Sequence, residues 1–80
     1  MKHETFMIRA IDKVAKMIGC SEDDVFVVWS AKTLKNSKAI MSAKVKGAPL
    51  IEVTMDGTNG VIYFDAYKKI EQQKVFFVPK

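Results

Sequence analysis

Residues that build catalytic and metal sites are scarce in this chain. Among its 80 residues it has one cysteine, Cys20, and one histidine, His3. A lone cysteine cannot form a disulfide within the chain, and one cysteine with one histidine cannot supply the ligands of a tetrahedral metal centre. A histidine-assisted nucleophile would depend on His3, which lies close to an N-terminus of the kind that usually frays. We therefore expect no catalytic residue, no metal and no cofactor, and we predict that the protein is not an enzyme.

Long apolar runs are missing as well. No segment approaches the roughly 18 consecutive apolar residues that a membrane-spanning helix needs. Residues 1–6 include Glu4 and lead into a stretch that mixes apolar with charged residues, unlike the continuous apolar core of a signal peptide. Together with the lack of a disulfide framework, this pattern predicts a cytoplasmic protein that binds no membrane.

The size of the chain and its charge limit the classes of function. Eighty residues, of which 49% are hydrophobic, are enough for one packed core, so we predict a single domain over residues 1–80. The formal charge of +4 and the pI near 9.3 favour contact with nucleic acid or with an acidic protein surface. A charge of this size also serves simply to keep a small domain soluble.

The most informative stretch is a basic hairpin without acidic residues. No acid occurs between Asp24 and Glu52, whereas several lysines fall in this window. Residues 25–34 are rich in β-branched and aromatic side chains, residues 35–38 read as a polar turn, and residues 39–45 alternate apolar or small with polar side chains. This pattern is typical of a half-buried antiparallel pair. We predict a hairpin that is apolar on one face and basic at its rim and tip.

The segments on either side of this hairpin predict a helix and two more strands. Apolar residues recur at helical spacing over residues 4–18, and Gly19 is suited to end that helix in a left-handed conformation. Residues 50–55 and 61–64 alternate apolar with polar side chains on either side of a glycine-rich turn, which indicates a second hairpin.

The C-terminal part predicts one more helix and a terminal strand. Asp65 can cap a short helix over residues 66–73. Residues 75–78 are too apolar to stay in water and are suited to an extra edge strand. The predicted fold is α+β, with an N-terminal helix, a four-stranded antiparallel meander and a short C-terminal helix.

Strict alternation along the predicted strands divides their side chains between two faces. In the first strand Val25, Val27, Trp29, Ala31 and Thr33 share one face. Two helices would cover the more apolar face of the sheet and leave the wetter face partly open. An open face that combines aromatics with lysines suits either nucleic acid or a protein surface. Its expected members are Phe26, Ser30, Lys32, Ser42, Lys44, Thr54 and Tyr63.

Three short motifs together carry a family resemblance. They are Val27-Val28-Trp29-Ser30-x-Lys32-Thr33-Leu34-x-Asn36-x-Lys38-Ala39, Glu52-Val53-Thr54 and Asp65-Ala66-Tyr67-Lys68-Lys69. On these motifs, over residues 24–71, the chain resembles a family of small uncharacterised proteins encoded by bacteriophages and prophages of Gram-positive bacteria. The resemblance implies a phage accessory protein that acts in the cytoplasm of a bacterial host. It assigns no catalytic residue, because the family has no established activity.

Two hypotheses about function follow from the residues and the resemblance. The leading one is a non-enzymatic phage accessory protein that binds and thereby inhibits a host or defence protein. The alternative is a small basic domain that binds nucleic acid through the same residues, and a homodimer formed through the apolar part of the open face also stays open. The predicted partner-binding residues are Lys32, Lys35, Lys38, Lys44, Phe26 and Tyr63.

Overall fold

The chain forms one long helix packed on a four-stranded antiparallel sheet. The computed structural model describes residues 1–68, 73 and 75. In order along the chain the elements are helix α1 (His3–Ile18), a 3-10 turn (Glu22–Asp24), and strands β1 (Val25–Thr33), β2 (Asn36–Ala43), β3 (Leu50–Asp56) and β4 (Val61–Tyr67). Strands that follow one another in sequence are neighbours in the sheet, in the order β1-β2-β3-β4. The predicted α+β fold, with its N-terminal helix and antiparallel meander, is confirmed.

Helix α1 is amphipathic, and its apolar side faces the sheet. Phe6, Ala10 and Val14 repeat every four residues and are fully buried. Gly19 ends the helix with a φ of 85°, and its N–H donates a hydrogen bond to the carbonyl oxygen of Ala15 at 2.8 Å. This left-handed termination is the one that the sequence predicted, and only glycine adopts it without strain.

The hydrophobic core lies between α1 and the sheet face that α1 covers, which we call the helix side. The helix packs mainly across β2 and also contacts β1 and β3. Ile62 and Phe64 of β4 pack against the same core but are only half-buried. The core side chains that β2 and β3 supply are Ala39, Met41, Ile51, Val53 and Met55.

A β-bulge in β1 reverses the facing of the second half of that strand. The register against β2 shifts between Val27 and Trp29, so Val28 is an extra residue in β1. Strict alternation predicted that Val27 and Trp29 share a face. The bulge instead moves Trp29 to the opposite face and brings Ser30 and Lys32 to the helix side. The expected facing of these residues was wrong, because one inserted residue moves every following side chain to the other face.

The turn between β1 and β2 lies earlier than the sequence predicted. Leu34 and Lys35 form it, and β2 begins at Asn36 instead of residue 39. Leu34 has a φ of 53° and is 89% exposed. A branched apolar residue rarely adopts this left-handed conformation, so the local sequence gave no signal for a turn at this point.

Strand β4 is longer than predicted, and the extension replaces the start of the predicted C-terminal helix. Tyr67 pairs with Leu50 and Asp65 pairs with Glu52, so β4 follows β3 along its whole length. Asp65 is therefore a strand residue and not a helix cap. The rest of the predicted helix, residues 69–72, and the predicted edge strand beyond Val75 lie outside the described residues.

Candidate functional site

The sheet face opposite α1, which we call the open face, has no covering element in the part of the chain that the structure describes. Cross-strand pairing arranges its central side chains in two rows, Trp29-Ile40-Glu52-Asp65 and Ala31-Lys38-Thr54-Tyr63. Its largest apolar and aromatic side chains are Phe26, Trp29, Ile40, Leu50, Tyr63 and Tyr67. Residues 1–68, 73 and 75 therefore leave this side of the sheet available for contact.

The aromatic side chains of the open face are about half uncovered. Trp29 is 50% exposed, Tyr63 is 52% exposed and Tyr67 is 55% exposed. Burying apolar surface is favourable by about 25 cal/mol per Å², and tyrosine and tryptophan are enriched where proteins bind each other. The face is suited to docking against another apolar surface.

A groove crosses the open face near the turns. It encloses about 450 Å³ between Trp29 on β1 and Tyr63 on β4. The groove exists because short side chains, among them Ala31 and Thr54, lie between these two aromatic rings. A depression of this kind can accept one large side chain of a partner.

Charged groups on the open face are concentrated around Glu52. The ammonium of Lys38 lies 3.3 Å from Glu52 Oε2, and the hydroxyl of Tyr67 donates to Glu52 Oε1 at 3.4 Å. The negative charge of Glu52 raises the pKa of Tyr67, because it disfavours the phenolate. Asp65 lies directly opposite Glu52 on the neighbouring strand. Lys38 is therefore partly neutralised.

The predicted lysines do not form one surface. Lys38 lies on the open face, whereas Lys32 lies opposite Ser37 on the helix side and Lys35 lies in the turn after β1. Lys44 follows the other end of β2, roughly 30 Å from Lys35 along the strand. The basic rim is consequently dispersed around the hairpin.

The predicted aromatic residues Phe26 and Tyr63 both lie on the open face, but the sequence missed Trp29. Phe26 pairs with Ser42 near one end of the sheet, and Tyr63 pairs with Thr54 near the other. Strict alternation puts Trp29 on the opposite face. The residues before it are all apolar, so no polar residue marks the bulge at Val28. Cross-strand pairing with β2 is the only signal that places Trp29.

The two hairpin turns pack side by side at the end of the sheet next to the groove. The backbone N–H of Gly57 donates to Asn36 Oδ1 at 3.2 Å. A Cβ atom at position 57 would lie only 1.9 Å from the carbonyl oxygen of Lys35. Asp56 accepts hydrogen bonds from Asn59, whose side-chain amide is the main cause of a lowered pKa for Asp56. These contacts fix the edge of the groove.

The helix side carries one contact between residues that elsewhere perform catalysis. His3 Nδ1 lies 3.0 Å from Ser37 Oγ, and the ring of His3 packs near that of Phe6. Ser37 is only 2% exposed, so its hydroxyl is out of reach of a substrate. This pair ties the beginning of α1 to β2.

The described residues contain neither a cluster of metal ligands nor a membrane-spanning helix. Within residues 1–68, 73 and 75, no three histidine, cysteine or acidic side chains lie close enough to hold a metal ion. In the same part of the chain, no helix has the length and apolar character required to cross a membrane.

Comparison with known proteins identifies the family. No match was found among curated proteins or among solved structures. The model of one family, described as a family of unknown function, matches residues 2–76. That match includes α1, all four strands and the motifs noted in the sequence. The chain therefore belongs to the family of unknown function DUF6275.

Proposed function

We propose that this chain is a non-enzymatic accessory domain that works by binding another protein through its open face. The observation that carries the proposal is the half-exposed aromatic surface formed by Trp29, Tyr63 and Tyr67. Monomeric domains rarely leave large contiguous apolar patches in water unless they bind something. The groove beside Trp29 supplies a place where a partner side chain can be anchored.

The biological setting that we propose is a bacteriophage or prophage, with the target a host or defence protein in the bacterial cytoplasm. The support for this setting is the resemblance of the motifs around Trp29, Glu52 and Asp65 to small phage and prophage proteins. Blocking a bacterial protein requires only a binding surface, which suits a domain of this size. Family membership alone names no activity.

The dispersed lysines have a secondary role in this proposal. Lys32, Lys35 and Lys44 surround the hairpin without converging on the open face. Charges at the rim of an interface mainly change the rate of association and its dependence on salt. We therefore assign these lysines to steering and orientation, and the aromatic side chains to affinity.

The alternative, a nucleic-acid-binding domain, receives less support from the charges of the open face. Lys38 is paired with Glu52, and Asp56 and Asp65 add further negative charge near the aromatic rings. Phosphates are repelled by carboxylates, and nucleic-acid affinity depends on unpaired cations. Fluorescence anisotropy with mixed DNA and RNA probes at about 50 and 200 mM salt tests this alternative, since phosphate contacts give a steep salt dependence.

The test of the proposed function is capture of a partner that depends on Trp29. Tagged full-length protein is incubated with lysate of a Gram-positive host, and the captured proteins are compared with those captured by Trp29→Ser. Ile8→Ser is the matched control, because Ile8 is a 68% exposed apolar residue on α1, away from the sheet. Both substitutions remove a large exposed side chain, but only one alters the open face.

The proposal predicts a host protein that wild type and Ile8→Ser retain and that Trp29→Ser loses. Thermal unfolding of each variant checks that the fold is kept. A captured set that is the same for all three proteins would contradict the use of the open face. Tight nucleic-acid binding with a steep salt dependence would favour the alternative and direct attention to the lysines.

A further inference from the structure

The open face carries more negative than positive charge. In the four strands its charged groups are three carboxylates, Glu52, Asp56 and Asp65, and one ammonium, Lys38. The ammonium already lies 3.3 Å from Glu52, so it offsets one of those carboxylates. A chain with a formal charge of +4 thus has an acidic, aromatic face. Such a face is complementary to an apolar partner surface that also brings positive charge.

Asp65 is the carboxylate best placed to meet a cation from a partner. It lies directly opposite Glu52 in the register of β3 and β4, and like charges in this position repel each other. Its side chain is exposed and forms no ion pair with any residue that the structure describes. Lys38 compensates the charge of Glu52 but not that of Asp65. An arginine or lysine from a partner would compensate Asp65 and so relieve the repulsion between the two carboxylates.

The groove lies in the same part of the face and provides an apolar anchor. Trp29 and Asp65 stand at the two edges of one cross-strand row, and Tyr63 closes the groove in the next row. Four strands at about 4.8 Å spacing put Trp29 and Asp65 about 14 Å apart. This distance equals about four residues of extended chain or between two and three turns of helix.

We propose that the open face binds a segment of another protein that carries one large apolar or aromatic side chain and, about 14 Å away, an arginine or lysine. The apolar side chain enters the groove beside Trp29, and the cation pairs with Asp65. This inference rests on the proposed function and adds the chemistry of the partner to it.

A second copy of the chain fits the open face less well. Two open faces brought together would gather Glu52, Asp56 and Asp65 of both copies in one interface, so the two surfaces would carry charge of the same sign. The flat area of the face is roughly 440 Å² by strand spacing, whereas each partner of a stable interface usually buries about 800 Å². A single helix or extended segment matches this area, which is too small for a stable dimer.

Selection from a random peptide library tests the inference without a known partner. The bait is the immobilised full-length protein, and the sequences of the enriched peptides are the readout. Selected peptides are synthesised, and their affinities are measured for wild type, Trp29→Ser, Asp65→Lys and Ile8→Ser. Ile8→Ser is the control because Ile8 is exposed on α1, away from the open face.

The expected peptides pair a large apolar or aromatic residue with an arginine or lysine at the stated separation. Their affinity should fall at least about tenfold in Trp29→Ser, as for a central anchor, and about fivefold in Asp65→Lys. It should not change in Ile8→Ser. The inference would be overturned if acidic peptides are enriched, if no peptides are enriched, or if Trp29→Ser leaves the affinity unchanged. It would also be overturned if wild type forms a dimer that Trp29→Ser dissociates.

Capture of host proteins by Trp29→Ser and by Asp65→Lys distinguishes a failure of the partner chemistry from a failure of the proposed function. A host protein that is lost by Trp29→Ser but retained or bound more tightly by Asp65→Lys would keep the proposed function and reject a basic partner segment. If neither Trp29→Ser nor Asp65→Lys changes which host proteins are captured, the proposed function and the basic partner segment are both rejected.

Discussion

Glu52 and Asp65 face each other across β3 and β4, although their charges have the same sign. Lys38 compensates Glu52 at 3.3 Å, but Asp65 has no such partner among the described residues. The arrangement weakens the sheet slightly, which fits a residue that serves binding more than folding.

Replacing Asp65 with lysine should therefore stabilise the free protein. We expect Asp65→Lys to raise the free energy of unfolding by about 0.5 kcal/mol, because repulsion from Glu52 becomes attraction. Urea denaturation at low salt measures the change, and high salt should reduce the gain because the charges are exposed to solvent. A loss of stability at low salt would contradict the predicted repulsion.

Asp56 gives the fold a dependence on acidic pH. Hydrogen bonds from the side chain and backbone of Asn59 lower the pKa of Asp56 below its ordinary value of 3.8. The stability that this carboxylate contributes is present above pH 3.8 and is lost as the pH falls through the lowered pKa.

Asp56→Asn isolates this effect, because asparagine keeps an oxygen that can accept from the N–H groups of Thr58 and Asn59 but does not titrate. We expect wild type to be the more stable protein near neutral pH and to lose that advantage in acid. Unfolding measured over a pH series provides the comparison. A difference that stays constant with pH would contradict the assigned role of the carboxylate.

The two hairpins act as one unit at the turn end of the sheet. Gly57 can pack against the Lys35 carbonyl only because it has no side chain, and Asn36 adds a hydrogen bond to the same turn. We expect Gly57→Ala to lower the free energy of unfolding by about 1–3 kcal/mol, since backbone atoms have to move apart. Thr58→Ala is the matched control, because Thr58 is an exposed neighbour that hydrogen-bonds through its backbone N–H. Denaturant unfolding measures the stability of both variants. Equal stability of the two variants would show that the turns are not in close contact.

The sequence predicts which helix and strands form more reliably than it predicts the sheet face on which each side chain lies. The helix, its end at Gly19 and the four strands follow from apolar spacing and turn residues, and these predictions are confirmed. The face of Trp29 does not follow, because residues 25–29 are all apolar and a one-residue slip buries no polar group. Phe26 and Tyr63 lie on the open face, as expected. Of the two lysines expected there, Lys32 lies on the helix side and Lys44 follows the end of β2, whereas Lys38, which was expected in the turn, lies on the open face.

The extension of β4 shows how pairing overrides a local signal. Asp65 is a good helix cap by sequence, and Tyr67 would then face the core from a helix. In the structure Asp65 and Tyr67 pair with Glu52 and Leu50, so every residue of β3 has a partner on β4. The ladder satisfies backbone groups that a helix start would have left unpaired on β3. A single strand read by itself contains no information about the length of its neighbour.

At the scale of the molecule, the residues that the structure describes contain too little helix to cover both faces of the sheet. A helix is about 10 Å wide and four strands span about 19 Å, so α1 can shield only the central part of one face. That geometry accounts for the half-buried Ile62 and Phe64 on the helix side and for the exposed aromatics on the open face. The candidate function depends on this second face being accessible in the full-length protein.

The fluorescence of Trp29 reports on that accessibility directly, because Trp29 is the only tryptophan in the chain. We would measure its emission and its quenching by acrylamide in full-length protein over a range of protein concentrations. An accessible open face predicts emission shifted toward that of tryptophan in water, efficient quenching and no change on dilution. Blue-shifted emission that acrylamide does not quench would mean that the face is already covered, and it would contradict a docking surface for another protein.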